Sequence, residues 1–382
     1  MGLLISFLIL CSLVLGTNAN DVKKVLMFGG NGLIGAASVN IMLENGHDLT
    51  LVTRGNWYWD TDDNIKPRVK HLKCDRMKSL TDCWSAEQYD FYDAIVDFSG
   101  FDPYMIKDTL KLLQGRVGRY IYISSDSVYE VCTKNHSRPT VETDSVRPGD
   151  IKEQDVLNKK DDYGHRKYSG EEVLVEQRKQ GGMPYFFIRL PDVIGSRDNT
   201  YRWWIYQAWL RLSPYLETKI AIPKNLIDFP MSFVYVEDVA NIVLQSLNYD
   251  QDLLDEAYNF AFDETPTLPE VLEIMKKYME KLDIDIPVTD DEDVLHLFPS
   301  VTRGPICCDK AKHKLGFKPT SFEQAAKETV EFYEQAMLSN KFERERLSVI
   351  QTLETFSPNN PGNVYIGLRK EYGLDIKSRE EL

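Results

Sequence analysis

The chain has 382 residues, of which 43% are hydrophobic, a length and composition that suit one or two globular domains with a large core. Its formal net charge is −14, and no basic run occurs along it. Proteins that grip nucleic acid through its phosphates usually carry a basic surface, so the charge argues against a nucleic-acid partner.

The chain begins with an apolar stretch. Residues 2–15 are almost wholly apolar, and Thr17-Asn18-Ala19 offers small residues at the spacing that a signal peptidase accepts. The run is short for a membrane span. We therefore predict that residues 1–19 are a cleaved signal peptide and expect no stable membrane insertion. An uncleaved anchor is the alternative, because no Lys or Arg precedes the apolar run.

Residues 23–55 have the pattern strand, glycine turn, helix, strand. An apolar strand at 25–28 breaks into glycines, and a helical pattern then leads to a second strand at 49–52. This unit binds dinucleotides, because the glycines let the backbone approach a pyrophosphate and the helix N-terminus offers it free N–H groups. A glycine-rich turn without a ligand is the alternative. The predicted cofactor contacts are Gly29, Gly32, Leu33, Ile34 and Gly35.

Strands and helices keep alternating, which is typical of a parallel sheet with right-handed crossovers. The polar stretch 130–162 is predicted to be a long loop, and such loops are often functional. Apolar runs predict further strands at 68–74, 92–98, 119–124 and 184–190, with helices at 80–88, 103–113 and 163–180.

Beyond residue 190 the pattern loosens. Helices are predicted at 201–212, 238–247 and 268–282, and strands at 233–236 and 258–262. The charged tail from about residue 340 is expected to wrap the surface. The predicted fold class is α/β, with a Rossmann-type doubly wound parallel sheet at 20–195, a smaller C-terminal substrate domain at 196–339 (its residues 233–262 contributing to the Rossmann core) and an extension at 340–382.

Three residues form the sharpest chemical pattern. Tyr163 and Lys167 lie four apart on a predicted helix, hence on one face. An ammonium beside a phenol favours the phenolate, so we expect Lys167 to lower the pKa of Tyr163 from about 10. The tyrosine can then exchange a proton with a carbinol or carbonyl oxygen while hydride moves to or from nicotinamide. Ser125, at a strand end, can hold that oxygen.

Together these pieces resemble the short-chain dehydrogenase/reductase superfamily, specifically its extended, NAD(P)-dependent epimerase/dehydratase-like branch. The pieces Thr53-Arg54-Gly55 and Asp97-Phe98-Ser99-Gly100 look most like a subgroup that includes chloroplast stem-loop-binding proteins. The motifs that carry the resemblance are Gly29-x-x-Gly32-x-x-Gly35, Asp75, Ser124-Ser125-Asp126-Ser127-Val128-Tyr129, Tyr163-x-x-x-Lys167, Arg189-Leu190-Pro191-Asp192-Val193-Ile194-Gly195 and Phe233-Val234-Tyr235-Val236-Glu237-Asp238.

The resemblance implies catalytic roles. Ser125, rather than Ser124, would be the catalytic serine. Tyr163 would be the acid and base, and Lys167 would bind the nicotinamide ribose and tune Tyr163. Members of this branch often dimerise through paired helices, so a homodimer that uses the helix from Tyr163 is expected.

The resemblance also implies further cofactor contacts. Asp75 would contact adenine, and Ser99 and Gly100 would lie along the cofactor. Pro191 and Val193 would flank the nicotinamide carboxamide.

Two departures from the family pattern matter. NAD-preferring members place an acidic residue at the end of the second strand, where it binds the ribose 2′-hydroxyl, but Thr53 and Arg54 stand there in this chain. An arginine can clamp a 2′-phosphate, so NADP(H) is expected over NAD(H), with a surface Arg54 and bound NAD(H) as the alternative. Sugar-nucleotide dehydratases carry Asp-Glu after the catalytic threonine. Here Ser127 follows Asp126, which favours oxidoreduction or epimerisation over elimination.

Three residues are predicted to face a substrate. Asp126 follows the catalytic serine, and Arg202 and Trp203 lie where the family's substrate domain begins. Guanidinium and aromatic groups can clamp or stack on a substrate. The alternative for Arg202 and Trp203 is a buried helix face.

Five cysteines follow the predicted leader. Cys74 with Cys83 would close a short disulfide loop, and Cys132 with Cys307 or Cys308 a long one. Buried free thiols are the alternative. No Cys/His spacing resembles a zinc site, and no metal is expected.

Two further signals belong to the secretory pathway. The terminal Arg379-Glu380-Glu381-Leu382 resembles the Lys-Asp-Glu-Leu retrieval signal, and Asn135 opens an Asn-His-Ser acceptor for glycosylation, which is either used or a chance triplet. With the leader they predict the endoplasmic reticulum (ER) lumen, with the retrieval receptor as a partner of the tail.

The leading hypothesis is an ER-lumenal NADP(H)-dependent oxidoreductase or epimerase that acts on a small molecule, such as a sugar or nucleotide sugar. A non-catalytic nucleotide- or RNA-binding protein on the same fold is the main alternative, because a fold does not fix function. A lumenal sensor is a third. The intact serine, tyrosine and lysine set favours catalysis.

Overall fold

A seven-stranded parallel sheet forms the centre of the protein, in a computed structural model that describes residues 22–84, 90–280 and 282–376. Alternating helices return the chain across the sheet, as parallel strands require. The strands are β1 (Lys24–Phe28), β2 (Asp48–Thr53), β3 (Lys70–Lys73), β4 (Ala94–Asp97), β5 (Tyr120–Ser125), β6 (Tyr185–Leu190), β7 (Asp192–Ile194), β8 (Ile222–Pro223), β9 (Phe233–Tyr235), β10 (Glu256–Asn259) and β11 (Val288–Thr289). The helices are α1 (Leu33–Glu44), α2 (Thr61–Asn64), α3 (Pro103–Leu112), α4 (Ile151–Lys160), α5 (Asp162–Lys179), α6 (Arg202–Leu212), α7 (Val236–Ser246), α8 (Leu268–Tyr278), α9 (Asp309–Leu315), α10 (Phe322–Leu338), α11 (Glu343–Glu354) and α12 (Gly362–Tyr372).

The order of strands in the sheet is β10-β6-β5-β4-β1-β2-β3. The direction of winding reverses between β1 and β4, and open α/β sheets bind ligands outside the carboxyl ends of the strands at such a point. The predicted Rossmann-type sheet is confirmed, and every strand predicted from the sequence is present. The late strand β10 joins the sheet beside β6.

Two predicted segments differ from the structure. The stretch 130–162 was predicted as a loop, but it contains α4, which begins at an Asp150 cap and buries none of its own residues. A helix without an apolar face leaves no hydrophobic periodicity to detect. In place of the helix predicted at 80–88, a short 3₁₀ turn covers Leu80–Asp82, and residues 85–89 lie outside the described ranges.

Apolar side chains cover both faces of the sheet, and a separate core fills the C-terminal half. The tail from residue 340 does not merely wrap the surface. Helices α11 and α12 bury Val349, Leu353, Val364 and Leu368 in the same core as α6. Across the three described ranges, every helix is too short or too polar to span a bilayer.

Candidate active site

A cleft of about 920 Å³ opens at the carboxyl ends of the strands. It brings together most of the predicted site residues, although they come from distant parts of the chain. Gly100 and Trp203 are not among its lining residues. The predicted residues that line it are Gly29, Gly32, Leu33, Ile34, Gly35, Thr53, Arg54, Asp75, Ser99, Ser125, Asp126, Tyr163, Lys167, Pro191, Val193 and Arg202.

The glycine turn packs the start of α1 directly against the end of β1. Gly29 has a φ of +85°, and a Cβ on Gly35 would lie 2.5 Å from the carbonyl oxygen of Gly29, so side chains are excluded there. Gly32 caps the helix without a side chain. The amide of Leu33 therefore faces the cleft, where it donates to Asn199 Oδ1 at 3.1 Å. This geometry fits a pyrophosphate, and Asn199 is a site residue that sequence reasoning missed.

The two residues from which the cofactor preference is predicted lie at the end of β2. Thr53 is buried, and its hydroxyl accepts a hydrogen bond from the amide of Gly55 at 3.1 Å and contacts His71 Nε2 at 2.9 Å. Arg54 is exposed on the cleft wall. Among the described residues, none forms a hydrogen bond or ion pair with its guanidinium. Across the cleft, the Asp75 carboxylate accepts a hydrogen bond from the amide of Met77 at 3.1 Å.

A buried ion pair supports the cofactor side of the cleft from behind. Arg76 Nη1 donates to Asp97 Oδ1 at 2.6 Å and to Ser99 Oγ at 3.2 Å. Burial alone would raise the pKa of Asp97, but the charge of Arg76 outweighs it and holds that pKa below its usual range. The carbonyl of Gly100 accepts hydrogen bonds from Tyr122 and Lys167, so this residue supports the cleft without lining it.

Ser125, Tyr163 and Lys167 meet at the middle of the cleft. Ser125 ends β5, where its Oγ accepts from the amide of Ser127 at 3.1 Å. Tyr163 lies on the first turn of α5. That turn packs closely on the β5 end, because a Cβ on Gly164 would lie 2.1 Å from the carbonyl oxygen of Ser127. Lys167 is 1% exposed and donates to the carbonyl of Ile123 at 2.6 Å.

The expected lowering of the Tyr163 pKa is not found. The side chain is 46% exposed overall, but its hydroxyl lies beside Ser125, and desolvation there, followed by the charge of Asp126, raises the pKa to about 12. Lys167 fails to offset this because its ammonium is turned toward main-chain carbonyls. Burial in turn lowers the pKa of Lys167 to about 8. Burial, with the charges of Asp192 and Glu130, raises the pKa of Asp126 well above its usual value.

The substrate end of the cleft is lined by Arg202 and not by Trp203. Arg202 Nη1 donates to Asp192 Oδ1 and to Ser300 Oγ, both at 2.6 Å, and its guanidinium lies over the Phe298 ring. Trp203 is 1% exposed and belongs to the C-terminal core. The prediction for Trp203 was wrong because α6 is buried on nearly every side. The helix begins with the polar residue Arg202, but this does not indicate that the following residues form an exposed face.

A loop from the C-terminal half closes this end. Glu130 Oε1 accepts hydrogen bonds from the amides of Thr302 at 2.9 Å and Arg303 at 2.7 Å, and its Oε2 accepts from the Thr302 hydroxyl. Two buried carboxylates, Glu130 and Asp192, thus hold residues 300–303 against the cleft. Sequence reasoning missed both, because their partners lie far away in the chain.

Ser124 and Ser125 are neighbours on β5, but their hydroxyls contact different residues. The Ser124 hydroxyl donates to Glu171 Oε1 at 2.6 Å, and Glu171 forms a buried ion pair with Arg189. Ser125 instead contacts Asp126 Oδ1 at 3.3 Å. This agrees with Ser125 as the candidate for the cleft chemistry.

The cysteines combine the two alternatives, with the predicted short-loop disulfide formed and the other three thiols free. Cys74 and Cys83 form a disulfide with a Cα–Cα distance of 5.7 Å, next to Asp75. Cys132, Cys307 and Cys308 are free thiols, so the predicted long-loop disulfide is absent. Asn135 is exposed on a loop outside the cleft.

Comparison with known proteins agrees with the geometry. Residues 106–261 match the NAD dependent epimerase/dehydratase family, in agreement with the predicted resemblance. The chloroplast stem-loop binding protein of 41 kDa b from Arabidopsis thaliana is 30% identical over 140 residues, which cover 34% of this chain and only 36% of that protein. The resemblance to that subgroup is therefore confirmed over about a third of the chain.

Solved structures share the fold over most of the chain. The dTDP-glucose 4,6-dehydratase of Bacillus anthracis, in complex with NAD, superposes with a TM-score of 0.65 at 18% identity, covering 85% of this chain and 100% of that one. The UDP-glucuronic acid 4-epimerase of Bacillus cereus, in complex with UDP-glucuronic acid and NAD, gives 0.61 at 17% identity, covering 82% and 99%. These structures confirm the predicted Rossmann-type α/β fold.

Proposed function

We propose that this protein is an NAD(P)(H)-dependent oxidoreductase or epimerase that acts at a carbinol or carbonyl carbon of a sugar or nucleotide sugar. The observation that carries the proposal is the cleft itself. It unites a glycine turn that fits a pyrophosphate with Ser125, Tyr163 and Lys167. Similar folds that bind dTDP-glucose-type or UDP-sugar substrates favour the substrate class.

In this proposal the chain's residues hold the dinucleotide along the cleft. The glycine turn and the Leu33 amide would hold the pyrophosphate, Asp75 would contact the adenine, and Lys167 would bind the nicotinamide ribose. Pro191 and Val193, which line the cleft, would flank the nicotinamide carboxamide. The bound nicotinamide supplies or accepts the hydride.

Proton transfer belongs to the protein. With a pKa of about 12, the Tyr163 phenol is protonated at neutral pH, so it is ready to donate its proton to a carbonyl oxygen. Ser125 holds the same oxygen by hydrogen bonding. In the opposite direction Tyr163 must first lose its proton, which requires a cation nearby. The site therefore favours carbonyl reduction, and Ser127 at the place of the dehydratase glutamate disfavours elimination.

We also propose that NADP(H) is favoured over NAD(H). Arg54 supports this, because its guanidinium lies at the edge of the cleft and has no hydrogen-bond or ion-pair partner among the described residues, which leaves it available to a 2′-phosphate. The two structural relatives named above hold NAD, so the preference rests on Arg54 alone. Titrations of wild type and Arg54→Ala with NADPH and NADH test it. Tighter NADH binding by wild type would refute it.

The activity is tested by mixing the purified protein with NADPH or NADH and a panel of keto-sugars and UDP-sugars. Nicotinamide absorbance reports reduction, and chromatography of the sugars reports epimerisation. Turnover that disappears in Tyr163→Phe supports the proposal. Turnover that survives this change, or no turnover together with tight RNA binding, would contradict it. RNA binding is the second candidate because one relative is named for binding a stem-loop, but the net charge of −14 opposes it.

For the location we propose the ER lumen. Residues 1–19 and 379–382 supply the signals, and both lie outside the described ranges. The Cys74–Cys83 disulfide suits an oxidising compartment, and the exposed Asn135 is open to glycosylation. In secretory cells we expect a glycosidase-sensitive band that Asn135→Gln abolishes, and secretion after deletion of residues 379–382. A cytosolic, unglycosylated product would contradict this location.

A homodimer remains part of the proposal. Helices α3 and α5 pack side by side, as a paired-helix interface needs. Light scattering of the purified protein tests it, and a monomer at micromolar concentration would contradict it.

A further inference from the structure

The loop that follows β2 has two sides with different surroundings. Residues 54–60 form this loop, and Arg54, Asn56 and Tyr58 line the cleft on one side. On the other side Trp59 is 7% exposed and enters the C-terminal core. It stacks on Trp204, with ring centroids 5.5 Å apart, and meets the edge of Phe342 at 5.2 Å. The 54–60 loop is therefore a cleft wall built on the C-terminal core.

The segment just before α11 and its first turn hold this loop by its backbone. The carboxylate of Glu345 accepts a hydrogen bond from the amide of Trp59 at 3.1 Å, and Glu345 itself is 2% exposed. Arg344 Nη2 donates to the carbonyl of Trp57 at 3.0 Å. Lys341 Nζ donates to the Asp60 carboxylate at 2.8 Å. Three loop positions are thus tied to residues 341–345.

The backbone of the loop needs such support. Trp59 has a φ of +55°, a left-handed conformation that large side chains rarely adopt and that persists only when the surroundings impose it. Because Arg54 has no partner of its own among the described residues, its place on the cleft wall depends on this backbone. The loop also touches the glycine turn, since the Asn31 side chain donates to the carbonyl of Asn56.

A second cleft loop is linked to the first. Arg197 pairs with both carboxylate oxygens of Asp60, at 2.7 and 3.0 Å. Its neighbour Asp198 donates its amide to the Tyr333 hydroxyl, and Asn199 meets the amide of Leu33. The contacts of residues 341–345 therefore extend, through Lys341 and Asp60, to the end of the cleft where the pyrophosphate fits.

We propose that residues 341–345, and Glu345 above all, position the adenosine end of the dinucleotide site by fixing the 54–60 loop. Glu345 is a positioning residue, because it does not line the cleft and acts on the loop through the amide of Trp59 and through Arg344. The inference rests on the proposed function, since it assigns to the C-terminal extension a part in binding the same cofactor. This inference predicts that dinucleotide affinity depends on α11. That helix lies outside the sheet, whereas the glycine turn directly follows strand β1 of the sheet.

The test measures binding to the full-length protein of NADPH, NADH, ADP-ribose and reduced nicotinamide mononucleotide. Glu345→Ala should weaken the three probes that contain adenosine by about tenfold, because the loop loses its preorganisation, and leave the mononucleotide within about twofold. Glu345→Gln, which keeps an acceptor for the Trp59 amide, should restore most of the affinity. The matched control is Glu343→Ala, an exposed position on the same turn, which should bind all four probes like wild type.

Arg344→Ala keeps the inference testable where Glu345→Ala does not fold. The Arg344 side chain is 66% exposed, so its removal spares the core, and a loss of about threefold for the adenosine-containing probes is expected. Equal affinities in wild type and both variants would overturn the inference while leaving the proposed function intact. An equal loss for the mononucleotide would show a general structural role and would also overturn it. A wild type that binds no dinucleotide at all would overturn both.

Discussion

Lys167 donates a 2.6 Å hydrogen bond to the main-chain carbonyl of Ile123, two residues before Ser125 on β5. This contact fixes the ammonium at the base of the cleft and turns it away from the phenol of Tyr163. The helix and the strand that carry the candidate catalytic residues are thus joined by one of those residues. With the ammonium held there, burial and the charge of Asp126 raise the pKa of Tyr163 and keep the phenol protonated, which leads to the first two predictions.

Removal of the Tyr163 hydroxyl should abolish turnover and spare binding. Tyr163→Phe deletes the proton donor, so we expect kcat to fall by about 10²–10⁴-fold while the dinucleotide dissociation constant and the melting temperature change little. The control is Tyr168→Phe, on the same helix, whose hydroxyl contacts Ser145 outside the cleft. Comparable losses in the two variants would argue against a chemical role for Tyr163.

The pH profile should be limited by Lys167 and not by Tyr163. The pKa of Lys167 is lowered to about 8, so the ammonium that the ribose contact needs is lost above that pH. Tyr163, at about 12, stays protonated throughout the range. We expect kcat/KM for reduction to fall above about pH 8, and the fall to move to higher pH in Lys167→Arg, because guanidinium stays charged. A profile that is flat to pH 10 would contradict this assignment.

Gly35→Ala should disrupt the glycine turn. Its Cβ would meet the carbonyl of Gly29 at 2.5 Å, and backbone atoms cannot yield as a flexible side chain would. We expect a loss of unfolding free energy of about 1–3 kcal/mol and a larger loss of dinucleotide affinity, measured by denaturant titration and calorimetry. Gly149→Ala is the control, because a Cβ there has no neighbour within 4 Å. An unaltered Gly35→Ala protein would refute the close packing.

Arg202→Ala should separate substrate binding from cofactor binding. The change removes the partner of Asp192 at the far end of the cleft, so we expect KM for the sugar substrate to rise at least about tenfold at unchanged dinucleotide affinity. Steady-state kinetics with saturating cofactor provide the measurement. A rise in the dinucleotide dissociation constant of similar size would place Arg202 with the cofactor instead.

The disulfide should stabilise the wall that carries Asp75. Closing a loop of this length contributes about 2–3 kcal/mol by limiting the unfolded chain, so Cys74→Ala combined with Cys83→Ala should lower the unfolding free energy by that amount. Cys307→Ser, which removes a free thiol, is the control. Wild type treated with reductant should match the double variant, and a stability that does not respond to reductant would contradict a formed disulfide.

Local patterns explain what could be predicted. The glycine turn and the Tyr163–Lys167 pair depend on spacings of three and four residues, which one helix or one turn converts directly into geometry. Asn199, Asp192 and Glu130 escaped prediction because each acquires its role from a partner that only folding brings close. For the same reason, the direction of the Tyr163 pKa shift could not be predicted from the sequence. The shift is set by burial and by Asp126 more than by the nearest lysine in sequence.

The aromatic residues show the opposite error. Trp203 is predicted to face a substrate, yet its side chain is buried in the C-terminal core, as that of Trp59 is. Sequence alone gives the size of an aromatic side chain but not what covers it. Helix α11 provides part of the core that covers these side chains. The charged tail has no clear apolar stripe from which this packing could be predicted.

The hydrogen bond between Trp59 and Glu345 joins positions 286 residues apart. During synthesis the loop after β2 emerges early, but its backbone partner leaves the ribosome only near the end of translation. A chain that stops short of α11 would therefore present a complete glycine turn beside an unfinished wall. Retention of the dinucleotide would then distinguish finished molecules from truncated ones before any substrate is met.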